Sequence, residues 1–206
     1  DENGGSWNTI LLTSAGEISL PAPPAVNTPE YLAELQALKA ASANLSTEQQ
    51  KSVNYWGANA LVRWNEIARD LVAKYNLPPA ANPDGTYPVP NPANPGAYPL
   101  FPFSNPPYAS RTYAYWSAAQ FDALIAAWHY KYQHNRPAPY QTDNSIATHL
   151  PKNNLPSYPS EDAVIATVSE TILSAMFPLE ANFLKEKAEE HRNSRSWAGM
   201  NTSSDL

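Results

Sequence analysis

Residues 194–205 read SRSWAGMNTSSD, and with two other short segments they decide the fold that this sequence predicts. The other two are residues 156–163, which read PSYPSEDA, and residues 131–137, which read KYQHNRP. Together they supply two arginines, a lysine, a serine at a predicted helix start and two aspartates. Arginine side chains and helix N-termini both suit tetrahedral oxyanions such as phosphate. Three distant segments therefore predict one pocket for an anion.

The sequence upstream of these segments is helical. Thr28 followed by Pro29 predicts an N-cap and a helix that runs to about residue 43. Ser46 with Gln49 forms a capping box that opens a second helix. Its apolar residues recur every three or four positions, so we expect one long amphipathic helix that ends before Pro78.

Further helices are predicted at about residues 109–134, from Ser160 onward, and from Pro178 to about Trp197. Residues 1–27 show no sustained period and predict an extended arm with a short strand at residues 9–12. Residues 78–107 contain eleven prolines and many aromatics, which predicts a long loop docked over the domain. The expected fold class is therefore all-α, a single helical bundle over residues 28–206 preceded by an arm.

Composition excludes several classes of function. A net charge of −6 lacks the basic surface that nucleic-acid binding needs. No apolar run approaches a membrane span, and the absence of cysteine removes disulfides and thiolate chemistry. A charged fraction of 16% with 21 prolines, in a chain that begins with Asp1, favours an exported protein.

The three segments resemble the signature motifs of the superfamily of vanadium-dependent haloperoxidases and type 2 phosphatidic acid phosphatases. The family pattern is K-x6-R-P, then P-S-G-H, then S-R-x5-H-x3-D, on an all-helical bundle. Residues 131–205 carry all three motifs in order. The resemblance implies that phosphate or vanadate is the bound group, with Arg136, Ser160 and Arg195 among its ligands. Lys131 is the nearest lysine, although His129 stands at the family's lysine spacing.

The catalytic positions of the family are replaced in this chain. Asp162 stands where the family has the histidine that acts as the acid, and it could donate a proton if burial raised its pKa. Asn201 stands where the family has the histidine that attacks phosphorus or binds vanadium, and asparagine can do neither. Asp205 matches the aspartate that orients that histidine, so we expect a free carboxylate there. Glu161 replaces a glycine that donates its amide.

Two alternatives follow from the added carboxylates. Glu161, Asp162 and Asp205 with His129 could hold a divalent metal instead of an anion. The arginines could instead form ordinary ion pairs with these same carboxylates. His149 and His191 have no local partners in the sequence, so we expect both on the surface.

The sequence thus leaves two functions open. One is a divergent hydrolase or peroxidase that acts on a phosphoester or uses an oxyanion. The other is a catalytically inactive extracellular binding or assembly protein. Relatives continue with another helix after the third motif, so the resemblance also implies a missing C-terminal segment or a second polypeptide that completes the bundle.

Overall fold

The chain forms an all-helical bundle, as the sequence predicts. The computed structural model describes residues 3–75, 80–89, 91–94, 97 and 106–206, and within them no β-strand occurs. Short 3₁₀ turns lie at Gly4–Ser6, Pro178–Glu180 and Ser203–Asp205. The α-helices are α1 (Pro29–Ala43), α2 (Thr47–Gly57), α3 (Ala60–Tyr75), α4 (Pro106–His134), α5 (Pro139–Thr142), α6 (Glu161–Met176) and α7 (Ala181–Trp197).

Local capping residues begin three of these helices where the sequence predicts them. The Thr28 hydroxyl accepts the Tyr31 amide at the start of α1. Ser46 and Gln49 form the complete capping box of α2, and Ser160 caps α6. These caps satisfy amide groups that a helix start leaves without intrahelical partners.

The long second helix predicted from the sequence is wrong, because the structure divides it into α2 and α3. A Cβ atom at Gly57 would overlap the side chain of Leu150, so this glycine admits the loop that crosses the end of α2. The side chain of Asn59 then accepts the amide of Val62, which caps the start of α3. The apolar spacing continues across the break, which explains why periodicity alone did not reveal it.

The main core lies between α2, α3, α4, α6 and α7. Trp56 and Trp64 are buried at its centre with Leu173 and Leu184. Helix α6 packs against both α4 and α7. This packing brings the start of α6 and the end of α7 to the same region of the bundle as the end of α4.

The N-terminal arm carries no strand at residues 9–12, contrary to the sequence prediction. The carboxylate of Asp122 on α4 accepts the amides of Ile10, Leu11 and Leu12 at 2.6–2.8 Å. Successive strand amides alternate in direction, so three that converge on one carboxylate require a bend. The arm is therefore held by a buried side chain and not by a sheet partner.

The predicted docking of the Pro-rich loop is largely outside the described residues, which lack Tyr98, Phe101 and Phe103. In the described part of the loop, Tyr87 is 61% exposed and so does not dock as predicted. Partly buried Tyr108, at the start of α4, does pack against the core.

Among the described helices, none has the length and apolar character that a membrane span requires.

Candidate functional site

The end of α7 turns sharply into the loop that carries Asn201. Gly199 has φ of +71°, a left-handed conformation that favours glycine, and a Cβ there would overlap the carbonyl oxygen of Ala147. The amide of Met200 returns to the carbonyl of Arg195 at 3.0 Å. This turn places Asn201 beside Arg195, whose Nε donates to the Asn201 side chain at 3.3 Å.

The start of α6 supplies the other side of the site. The Ser160 hydroxyl accepts the amide of Ala163, and the Ser160 amide donates to the carbonyl of Asp205 at 2.8 Å. Glu161 and Asp162 occupy the first helical turn, where the helix dipole favours negative charge. The dipole thus stabilises carboxylates that belong to the chain itself.

A small polar cavity joins these elements. Its volume is about 30 Å³, which is enough to hold water. Six of the predicted site residues line it: Lys131, Ser160, Glu161, Asp162, Arg195 and Asn201. The structure therefore brings most of the predicted site together, and Lys131, not His129, is the residue of α4 that reaches it.

Lys131 and Glu161 face each other across this cavity. Their charged groups are 3.8 Å apart, and the Lys131 ammonium also donates to the Pro156 carbonyl at 2.6 Å. Burial lowers the pKa of Lys131, against the attraction of Glu161. Burial likewise raises the pKa of Glu161, against the attraction of Lys131. Desolvation therefore outweighs the attraction within this pair.

Asp162 is held more tightly than Glu161. Its Oδ1 is 3.0 Å from His191 Nε2, and its Oδ2 is 3.0 Å from Arg195 Nε. Burial acts to raise the pKa of Asp162, but the hydrogen bond from His191 and the charge of Arg195 outweigh it, and the pKa is lowered. The condition under which Asp162 was expected to donate a proton is therefore not met. Of the two carboxyls, Glu161 is the one whose pKa is raised.

His191 contributes to the site although we expected it on the surface. Its side chain is fully buried and stacks on Trp56 with ring centroids 4.4 Å apart. Trp64 Nε1 donates to His191 Nδ1 at 3.2 Å. The sequence does hold a signal for this burial, because Leu184, Ala188 and His191 share one face of α7 at helical spacing.

Arg136 and Asp205 lie beside the cavity but pair with each other. Arg136 Nη1 is 3.4 Å from Asp205 Oδ1, and Arg136 Nη2 is 3.6 Å from Glu34. Asp205 also accepts the Ser157 hydroxyl and the Thr202 amide. It is therefore not the free carboxylate that we expected, and Arg136 has the ion-pair role that was the alternative to binding an anion.

Burial raises the pKa of Asp205, against the attraction of Arg136. The Arg136 guanidinium also lies over the Tyr31 ring, 4.5 Å from its centroid. Sequence reasoning missed Tyr31 and Glu34, both on α1, because nothing local in the sequence connects that helix to the motifs.

The predicted metal ligands are not grouped. His129 lines a separate cavity beneath the N-terminal arm, with Gly5 and Gly16 near it. Asp205 is paired with Arg136, and Asp162 is paired with His191 and Arg195. In the described ranges, no set of three or more histidine and carboxylate side chains is arranged to hold a metal ion. The described structure therefore does not bring the four predicted metal ligands together.

Comparison with known structures identifies the fold. The chain superimposes on a crystal structure described as the first bacterial vanadium-dependent iodoperoxidase, with a TM-score of 0.76 and 19% identity. This chain has the haloperoxidase-type fold. The match covers 100% of this chain and 53% of that protein, so the chain spans about half the length of this haloperoxidase. No protein-family model matches the sequence, and no curated protein matches it significantly.

This fold agrees with the fold that the resemblance of the three motifs implied. At 19% identity the comparison concerns the path of the chain, and it does not extend to the chemistry of individual side chains. The local contacts of the cavity therefore carry the functional argument.

Proposed function

We propose that this protein is a non-catalytic binding or assembly protein that uses the haloperoxidase-type fold as a scaffold. One observation carries the proposal: each cation at the site already faces a carboxylate of the same chain. Lys131 faces Glu161, Arg195 faces Asp162, and Arg136 faces Asp205 with Glu34. The chain's own carboxylates thus take the partners that an oxyanion would use.

Charge argues against a bound oxyanion. Lys131 and Arg195 contribute two positive charges to the cavity lining, and Glu161 and Asp162 contribute two negative charges. A dianion would therefore enter a site with no net attraction for it. Binding would also cost the anion at least about 4 kcal/mol in lost translational and rotational freedom. The carboxylates of the same chain do not have this cost.

The side chains at the site argue in the same direction. Vanadate, the group that the fold family implies, does not fit the residues present. Asn201 has no imidazole nitrogen to offer, and its amide is occupied by Arg195 and the Ser157 carbonyl. No reaction step is therefore assigned to vanadate here.

Anion binding by a charge-removing variant tests the proposal. Calorimetry with phosphate and ⁵¹V NMR with vanadate should detect no binding to the wild-type protein. Glu161→Gln with Asp162→Asn should bind phosphate, because it frees Lys131 and Arg195 without changing side-chain size. The matched control is Glu186→Gln with Glu189→Gln, which removes the same charge from an exposed face of α7.

Two results would contradict the proposal. Binding of either anion by the wild-type protein would show that the internal pairs do not exclude it. Equal binding by the control variant would show that overall charge, and not the cavity, governs the effect.

The second candidate is a phosphoester hydrolase or peroxidase, favoured by the raised pKa of Glu161, which could supply a proton. Turnover of a phosphomonoester, or of halide with peroxide and vanadate, would support it if Lys131→Met abolished that turnover. Lys131 is replaced in this test, and not Arg136, because Arg136 is buried in its own ion pairs.

A further inference from the structure

The protonation state of His191 follows from its two hydrogen-bond partners. The indole nitrogen of Trp64 can only donate, so Nδ1 of His191 must accept and carries no proton. The single proton of the neutral ring is then on Nε2, which donates to Asp162 at 3.0 Å. The two contacts together select one tautomer of a neutral imidazole.

The surroundings keep this ring neutral. Burial lowers the pKa of His191, against the hydrogen bond and charge of Asp162, and the charges of Arg195 and Arg192 lower it further. From α2, Trp56 covers one face of the ring, and its indole donates to Glu190. A second proton on Nδ1 would also point at the N–H of Trp64.

The two carboxylates of the cavity are therefore held differently. Asp162 has His191 on one oxygen and Arg195 on the other. Glu161 lies 3.8 Å from Lys131, beyond hydrogen-bonding distance. A carboxylate with both oxygens engaged has a defined position, whereas one held by a long ion pair can rotate.

We propose that His191 is a positioning residue that holds the Asp162 carboxylate in the cavity as a fixed internal anion, through a tautomer that Trp64 selects. This inference rests on the proposed function, because it explains how an internal carboxylate stays in contact with Arg195. His191 does not line the cavity and acts only through Asp162.

NMR of the imidazole nitrogens and of the Asp162 carboxyl carbon tests the proposal. We expect wild-type His191 to be the neutral Nε2–H tautomer at pH 7. His191→Met, which fills similar space without a donor, should shift the Asp162 titration upward. His191→Gln retains an N–H donor and should restore the titration toward the wild-type position. Equal Asp162 titrations in the Met and Gln variants would overturn the proposal, as would an Nδ1–H or doubly protonated ring in the wild type.

A second variant covers the case in which His191→Met does not fold. Trp64→Phe removes the N–H that faces Nδ1 together with part of a ring that is buried in the core. His191 should then accept a second proton more readily and titrate at higher pH than in the wild type. An unchanged His191 titration in Trp64→Phe would refute the role of Trp64. These spectra do not depend on anion binding, so the proposed function can fail while the tautomer assignment stands.

Discussion

The guanidinium of Arg136 lies 3.4 Å from the carboxylate of Asp205, and both side chains are almost completely buried. Removing one member of a buried ion pair leaves the other charge without compensation, at a cost of about 3–5 kcal/mol. We therefore expect Arg136→Met to lower the free energy of unfolding by about that amount, measured by urea denaturation at pH 7.

The matched control for this change is Arg192→Met. Arg192 pairs with Glu170 at 3.4 Å, but both side chains are about a quarter exposed, so its loss should cost about 0–1 kcal/mol. Combining Arg136→Met with Asp205→Asn should recover part of the loss, because the unpaired charge is then removed. Similar unfolding free energies for the two single variants would contradict a structural role for the Arg136 pair.

Glu161 and Asp162 are neighbours in sequence but should affect the pH dependence of stability with opposite signs. Burial raises the pKa of Glu161 above its usual 4.5, against the attraction of Lys131. The contribution of Glu161 to the free energy of unfolding is therefore present below pH 4.5 and is lost as pH rises through the folded-state pKa. The pKa of Asp162 is lowered below 3.8, because His191 and Arg195 outweigh its burial. Its contribution is present above pH 3.8 and is lost as pH falls through the folded-state pKa.

Unfolding free energies measured between pH 2 and pH 8 test these signs. The unfolding free energy of the wild type minus that of Glu161→Gln should fall as pH rises from about 4.5, because only the wild type must ionise a buried carboxyl there. The difference between wild type and Asp162→Asn should fall as pH drops below about 3.8. If both differences changed in the same direction with pH, the result would be incompatible with the contacts of Glu161 and Asp162.

The turn after α7 gives a prediction about glycine. Gly199→Ala should be strained by the left-handed backbone, at about 1–2 kcal/mol, and should also force Ala147 to move. Gly85→Ala is the matched control, because Gly85 has φ of +81° but open space around its Cβ position. Thermal unfolding should show a larger loss for Gly199→Ala, and an equal loss would mean that Ala147 does not constrain the turn.

Asp122 should control the order of the N-terminal arm. Asp122→Asn retains one acceptor oxygen where three amides now share two, so hydrogen exchange at residues 10–12 should accelerate. Glu17→Gln is the control, because Glu17 accepts only from Thr13 on the same exposed arm. Exchange at residues 10–12 that is equally fast in both variants would argue against Asp122 as the anchor.

Most of the fold could be predicted from the sequence, and the failures have identifiable causes. Caps at Thr28, Ser46 and Ser160 are local, so they were correct. The break at Gly57 was missed because it depends on Leu150, which is distant in the chain. The prediction of a strand at residues 9–12 was wrong because Asp122, on α4, accepts the amides that a sheet partner would need.

The candidate site, like the fold, contains residues that the sequence predicts correctly and residues that it does not. The resemblance of the three motifs implied that Lys131, Ser160, Arg195 and Asn201 would come together, and they line one cavity. His191 was placed on the surface because its partner Trp64 lies 127 residues away. The predicted metal ligands are not brought together, because Asp162 pairs with Arg195 and His191, Asp205 pairs with Arg136, and His129 lines a separate cavity.

The sequence by itself determined the all-helical architecture and several of the residues that meet at its site, because helix caps, apolar spacing and motif order are properties of the chain. Only the tertiary structure decided which carboxylate faces which cation. Such pairings depend on distances of 3–4 Å between side chains from different helices, and desolvation shifts each pKa according to that packing. In this structure the carboxylates of the same chain face the cations of the site.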